Sequence, residues 1–307
     1  MNTMLRAGSI LALLGLMTTA CGSDDTPEPA AGPVTIEDVG PVEADDALVG
    51  QLPDRLSEGD RISVATNAPY EPFIAFLEEG NQKDFVGLDY DLMLAASARL
   101  GLAAEFQQQP FDGLVPGLQA GKYDVIVGGI TDNRERQEVA SFVDYSASGT
   151  GVLTTGENPS GIGAISDLCG LHVAVQQASR QQEILEDYAE ENCDEPMEIT
   201  SYPENTQAVT ALKAGMVDAV GATQVNLVQT AAELGDEVEL VIDPDHPNGY
   251  LASPNGFGFL KAEEELVEAY RAALQSLMDD GTYEQILAKW GQEAIALDEA
   301  TVNQAID

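Results

Sequence analysis

Basic residues are what this chain has least of. Thirteen Lys and Arg stand against 53 Asp and Glu among 307 residues, a formal charge of -40. Nucleic-acid backbones and anionic membrane surfaces are recognised by basic patches, so neither is expected as a binding partner. Histidine is scarce too: His172 and His246 stand singly, without the spacing of a metal-ligand set. The sequence therefore points to no His-based metal centre, no nucleophile with a neighbouring His and no phosphate loop. Long apolar runs are missing as well. Ile10 to Met17 falls short of the roughly 20 residues that span a bilayer. What is present is 44% hydrophobic residues, enough for one large domain or two medium ones, which excludes disorder and collagen. So large an acidic excess implies self-repulsion relieved by salt, and hence a salty external medium with stability rising as salt is added.

Residues 1–20 carry one charge, Arg6, then the apolar run, then small residues. That is the pattern of a secretory signal peptide. The stretch Met17-Thr18-Thr19-Ala20-Cys21-Gly22 resembles a bacterial lipobox, although Thr18 stands where Leu is usual, and it implies a lipid on Cys21. Residues 21–60 combine that anchor Cys with an acidic, Pro- and Ala-rich stretch read as a disordered tether. With Cys21 set aside, Cys169 and Cys193 are an even pair in an exported chain. They are expected to form a disulfide.

From Arg61 onward short strands alternate with helices. Strands are expected at Arg61 to Ala65, Ala104 to Gln108 and Asp124 to Val127, with helices at Phe85 to Leu100, capped by Asp89, and Leu114 to Ala120. The pattern resumes after Gly156. Strands follow at His172 to Val175, Glu198 to Tyr202, Val217 to Gly221 and Gly256 to Leu260. Helices follow at Ser179 to Glu191, Thr206 to Ala214, Glu263 to Met278 and Thr282 to Trp290. The first of these opens with the capping pattern Ser179-x-x-Gln182. The tail, residues 292–307, reads as frayed. Two open α/β sheets in tandem leave a cleft between lobes, where ligands collect at the carboxyl ends of strands.

Ordered motifs then carry a family resemblance. Ser63-Val64-Ala65-Thr66-Asn67-Ala68-Pro69-Tyr70-Glu71-Pro72-Phe73 is followed by Gly87-Leu88-Asp89-Tyr90, Phe111-Asp112-Gly113-Leu114, Glu135-Arg136 and Phe142-Val143-Asp144-Tyr145. Lys213-Ala214-Gly215-Met216-Val217-Asp218-Ala219, Gly256-Phe257-Gly258-Phe259 and Lys289-Trp290-Gly291 come later. Over residues 61–291 the chain resembles family 3 extracellular solute-binding proteins of ABC importers, whose usual ligands are polar amino acids. The resemblance implies a two-lobed periplasmic-binding-protein-like (type II) α/β fold, with two open sheets joined by crossing strands near residues 149–156 and 251–258. Lobe 1 is expected at 61–152 plus 256–291 and lobe 2 at 153–255. No cofactor or metal is implied, and the expected state is a monomer held at the outer face of the cytoplasmic membrane by its lipid.

By the same resemblance Arg136 grips a ligand carboxylate with its planar fork. Gly129 and Thr131 complete that cradle, Asn133 replaces a second hydroxyl, and Tyr70 and Phe111 sandwich the ligand side chain. Asn67 stands where binders of basic ligands often carry an acid. In the second half Thr223 stands where the family supplies an Asp for the ligand ammonium, and Ser179-Arg180 replaces Thr-Thr. Arg180 adds a cation at a helix N-terminus already favourable to anions, so the expected ligand carries excess negative charge or lacks an ammonium. The competing view has Arg180 at the surface, paired with Glu183. Hinge closure and delivery to a membrane permease are the implied mechanism. A sensor module and, on the same fold, a lyase or dehydratase with Glu71 as general acid are the rivals from other classes.

Overall fold

The computed structural model describes residues 33–306, Glu79 excepted; the signal segment and Cys21 lie outside them. The folded part starts earlier than the sequence reading places it. Val34–Ile36 (β1) and Gly40–Val42 (β2) form an antiparallel pair, and Asp46–Val49 (α1) follows, capped by the Asp45 carboxylate accepting from the Ala47 N–H at 2.8 Å. Ile36, Val42 and Leu48 are buried in the main core. Residues 33–60 are therefore no disordered tether. Their acidic composition hides a few apolar side chains that suffice to anchor them, while the carboxylates face water.

Lobe one is built on Arg61–Thr66 (β3), which pairs in parallel with Ala103–Gln108 (β6) and Val125–Val127 (β7). A small ladder of Ala75–Phe76 (β4) and Phe85–Val86 (β5) precedes the helix Leu88–Arg99 (α2). Leu114–Gln119 (α3) covers the other face of the sheet, where Leu114 and Leu118 pack on Ile126 and Phe142. Asp89 does not cap α2. Gly87 occupies the cap position, at φ 137°, where a Cβ would lie 2.4 Å from the Phe73 carbonyl oxygen. Asp89 lies within the first turn and points into the interior, a role that a capping pattern does not reveal.

The two lobes share one hydrogen-bonded sheet, because Ala140–Thr155 (β8) runs through both. Beyond β8, lobe two contains His172–Gln176 (β9), Arg180–Asn192 (α4), Glu198–Tyr202 (β10) and Asn205–Lys213 (α5). Ala219–Thr223 (β11), Gln224–Leu234 (α6) and Val238–Val241 (β12) complete it. β9 pairs in parallel with β10 and β11, while β11 and β12 run antiparallel to β8. Two apolar clusters, one around Leu185 and one around Leu212, cover its two faces. Cys169 and Cys193 form the expected disulfide, with Cα atoms 5.4 Å apart.

Tyr250–Leu260 (β13) returns the chain to lobe one, antiparallel to β8. The two crossing strands come closest at Gly149 and Gly249. A Cβ on Gly149 would sit 2.3 Å from the Gly249 carbonyl carbon, so only glycine permits this approach. Glu264–Asp279 (α7) and Thr282–Lys289 (α8) then pack on α2. The tail is not frayed either: Ala296–Val302 (β14) adds to β8. Beyond it the Gln304 N–H donates to Asp144 at 3.1 Å and the Ile306 N–H to Ser253 Oγ at 3.2 Å. Weak apolar patterning had concealed a strand that is held by edge pairing rather than by a large core face.

Candidate functional site

The carboxyl ends of β3 and β7 in lobe one face the β9–α4 loop and the end of β11 in lobe two. Between them lies a small cavity of about 10 Å³, lined by Tyr70, Phe111, Gly129, Thr131, Arg136, Gln176, Ser179, Arg180, Gln181 and Thr223. Residues up to 153 positions apart are thus brought to one cavity. Of the positions singled out in the sequence, all line it except Asn67, Asn133 and Glu71. Asn67 serves as an inter-lobe clasp. Its Nδ2 donates to the Gln109 carbonyl at 3.0 Å and to Glu204 Oε1 at 3.4 Å, and its Oδ1 accepts from Gln176 Nε2 at 3.0 Å.

Arg136 follows β7 in a short helical turn and is buried. Its Nη1 donates to the Thr131 carbonyl at 2.8 Å, and its Nη2 to the Ala178 carbonyl of lobe two at 3.1 Å. The guanidinium lies 5.6 Å from the centroid of the Phe111 ring. Burial lowers its pKa to about 10, partly offset by Glu183 and Glu135 and added to by Arg180. It remains charged at neutral pH. Two carbonyls hold it in place, and the rest of the fork is available to a planar anion.

Behind this wall sits Asp89, fully buried, which sequence reasoning placed at a helix cap. Its Oδ2 accepts from the Gly128 N–H at 2.7 Å, the Gly129 N–H at 2.9 Å and the Tyr145 hydroxyl at 2.7 Å. Burial raises its pKa to about 6 against the lowering effect of these donors. The Gly129 carbonyl in turn accepts from Asn255 Nδ2 at 3.0 Å. Gly129 has φ +67°, and a Cβ there would meet the Phe73 ring at 2.7 Å. The cradle at Gly129 is therefore fixed from both sides.

Lobe two supplies the opposite wall. Ser179 caps α4, accepting from the Gln182 N–H at 3.1 Å, while Gln182 Oε1 accepts from the Ala178 N–H at 2.9 Å. Arg180 is buried at the first helical position and still pairs with Glu183, Nη1 to Oε1 at 2.6 Å. The Glu183 pairing expected of a surface Arg180 is thus present, but the side chain is buried and borders the cavity rather than pointing to solvent. Gln181 Nε2 donates to Thr223 Oγ1 at 3.3 Å, and the Thr223 N–H donates to the Tyr70 hydroxyl at 3.1 Å across the lobes. Asn133 turns its amide away from the cavity, donating to Glu183 Oε2 at 3.2 Å. Gln176 and Gln181 were not foreseen. Each lies within a few residues of Ser179, and only the turn from β9 into α4 brings both inward. Glu71, the candidate general acid, does not line the cavity; burial raises its pKa, and its carbonyl accepts from Asn226 Nδ2 at 2.7 Å. Phe111, Arg136 and Ser179 also border a wider groove of about 640 Å³ that opens to solvent.

Two α/β lobes, two crossing strands and a polar cavity enclosed between the lobes define a solute-binding protein of the periplasmic-binding-protein fold. Residues 62–293 match the family described as bacterial extracellular solute-binding proteins, family 3, and the chain belongs to that family. It is 33% identical over 261 residues to the arginine-binding protein ArgT of Corynebacterium glutamicum, covering 84% of this chain and 83% of that one. The lysine/arginine/ornithine-binding periplasmic protein of Escherichia coli is 28% identical, over 75% of this chain and 87% of its own. Among solved structures, an ancestral arginine-binding protein bound to arginine matches with a TM-score of 0.67 and 31% identity, over 75% of this chain and 97% of that one. The chain is thus an extracytoplasmic solute-binding component of an ABC importer, a binding protein for a small polar solute of the amino-acid type.

Proposed function

We propose that the solute is gripped through a carboxylate by Arg136, with Gly129 and Thr131 completing the cradle, Tyr70 and Phe111 flanking the ligand, and Ser179, Arg180 and Thr223 closing over it from lobe two. Asn67 contributes by clasping the closed form. The observation that carries this reading is that Arg136 bonds a carbonyl of each lobe at the cavity wall. A carboxylate docked there would touch both lobes at once, and ligand binding would favour closure by its differential affinity for the closed state. Residues 61–152 with 256–291 would receive the ligand, 153–255 would swing over it, and the closed monomer would be presented to the permease. A lipid on Cys21 would keep the protein at the outer face of the cytoplasmic membrane, where proximity raises its effective concentration.

With the lobes closed the cavity holds about 10 Å³, room for little more than a water, so a solute of amino-acid size enters only when the lobes part. The named relatives bind arginine, or lysine, arginine and ornithine, and an ancestral arginine-binding protein is also solved with glutamine. A cationic ligand is therefore the second reading, supported by Glu204 beside Asn67. Titration calorimetry with the twenty amino acids, short dicarboxylates and small amines tests the proposal. A carboxylate-bearing solute should bind, and Arg136→Ala should weaken it by about a hundredfold or more, the loss of a buried bidentate contact. Undiminished affinity in Arg136→Ala, or binding by amines alone, would overturn it.

A further inference from the structure

We propose that the preferred solute carries two carboxylates on a short chain, as dicarboxylates and acidic amino acids do, with Arg136 holding one and Arg180 the other. This rests on the carboxylate reading of the same cavity. Two guanidinium groups line it, and among the described residues no carboxylate does. Both are buried. Among the described residues the one anion bonded to either is Glu183, whose side chain is 37% exposed and which faces the outer groove. Burying two like charges a short way apart is costly unless each is paired. Burial lowers the pKa of Arg136 most and Arg180 adds to that, against the raising effect of Glu183, Glu135 and Asp132 outside the cavity. A ligand with one carboxylate and an ammonium is net neutral and would leave Arg180 with Glu183 as its partner.

The position facing a ligand ammonium argues the same way. Thr223 presents only a hydroxyl, which already accepts from Gln181, and its N–H is spent on Tyr70. An ammonium would find neutral acceptors there and no counter-charge. The second carboxylate has a better seat. Arg180 stands at the first position of a 13-residue helix, whose positive end favours an anion, and its Nη1 bond to Glu183 orients the rest of the fork. Glu183 is also held by Asn133, so it keeps a partner while Arg180 shares itself with a ligand. The outcome is a selectivity opposite in charge to that in the names of the relatives.

The test is calorimetric titration of the purified protein with L-glutamate, L-aspartate, succinate, glutarate, L-glutamine, L-arginine and L-lysine at constant salt. At least one diacid should bind about tenfold or more tightly than glutamine and than either basic amino acid. Arg180→Gln should cost the diacid about tenfold while changing a monocarboxylate amino acid by less than about threefold. Glu183→Gln, which keeps an oxygen toward Asn133 and removes the competing charge, should tighten the diacid and so tests the idea independently of how Arg180→Gln folds. Tighter binding of glutamine, arginine or lysine would sink the inference and leave the carboxylate reading standing. Silence toward every carboxylate would sink both. Equal diacid affinity in wild type and both variants would remove Arg180 from the site.

Discussion

The two lobes solve the same problem in different ways. Lobe one presents a rigid wall whose parts are held from behind: Arg136 by carbonyls, Gly128 and Gly129 by the buried Asp89, and the hinge end of β8 by Asp144 under the C-terminal strand. Its core is one large cluster reaching from Ile36 to Ala300, with a smaller one under α3. Lobe two has two smaller clusters, one on each face, and a disulfide beside the first. It also carries Arg180 and Thr223, the residues on which the proposed choice of solute rests. In the proposed reading the gripping lobe is thus over-determined, and the selecting lobe is built on a smaller core.

Breaking that contrast at its weaker side should have the largest effect on stability. Cys169→Ser with Cys193→Ser opens a loop of 24 residues and should lower stability by about 3 kcal/mol. Hydrogen exchange should show the loss concentrated in β9, α4 and β10, with α2 and α7 retaining their protection. Uniform loss would mean that the lobes unfold as one unit. The next effect lies in lobe one. Burial, with Asp132 nearby, raises the Asp144 pKa to about 7, and burial raises Asp89 to about 6. Each folded value is above the unfolded one of 3.8, so the folded state holds extra protons between the two. Stability from these groups is full below about pH 4 and falls as pH rises through 6 to 7. Asp144→Asn keeps an oxygen for Thr301 and Gln304 and should flatten that decline by on the order of 2 kcal/mol, read from denaturant midpoints between pH 5 and pH 8. An unchanged slope would show that Asp144 ionises without cost.

Much of this was legible in the sequence, for identifiable reasons. Strands such as Val125–Val127 and helices such as Arg180–Asn192 have strong local signals, an unbroken apolar run in one case and a Ser cap in the other. Arg136 was legible because its surrounding motif is local. Asp89 was misread because a carboxylate in the first turn of a helix has the same local pattern whether it caps the helix or turns into the core; only the distant Gly128, Gly129 and Tyr145 decide. The segments at 33–60 and 296–302 were hidden by composition. Their acidic residues dominate the average, and their few buried positions gain meaning only against surfaces supplied by α2, α7 and β8. Gln176 and Gln181 escaped because they have no motif at all, and the fold alone turns them toward the cavity.

The smallest effect separates closure from folding. The Tyr70 hydroxyl of lobe one accepts from the Thr223 N–H of lobe two at 3.1 Å, and both are buried. Tyr70→Phe removes that acceptor and leaves the ring, so each lobe keeps its packing. An unpaired buried N–H costs about 1–3 kcal/mol. The cost falls mainly on the closed state, since in an open one Thr223 meets water. Ligand affinity should therefore drop by about tenfold, the low end of that range, while the melting temperature of the ligand-free protein stays nearly unchanged. Thr223→Ala, which leaves the N–H in place, should have less effect on closure and act through Gln181 instead. Equal losses of affinity and ligand-free stability in Tyr70→Phe would place this bond in the folding of the chain, and the division between a gripping lobe and a selecting lobe would lose its inter-lobe latch.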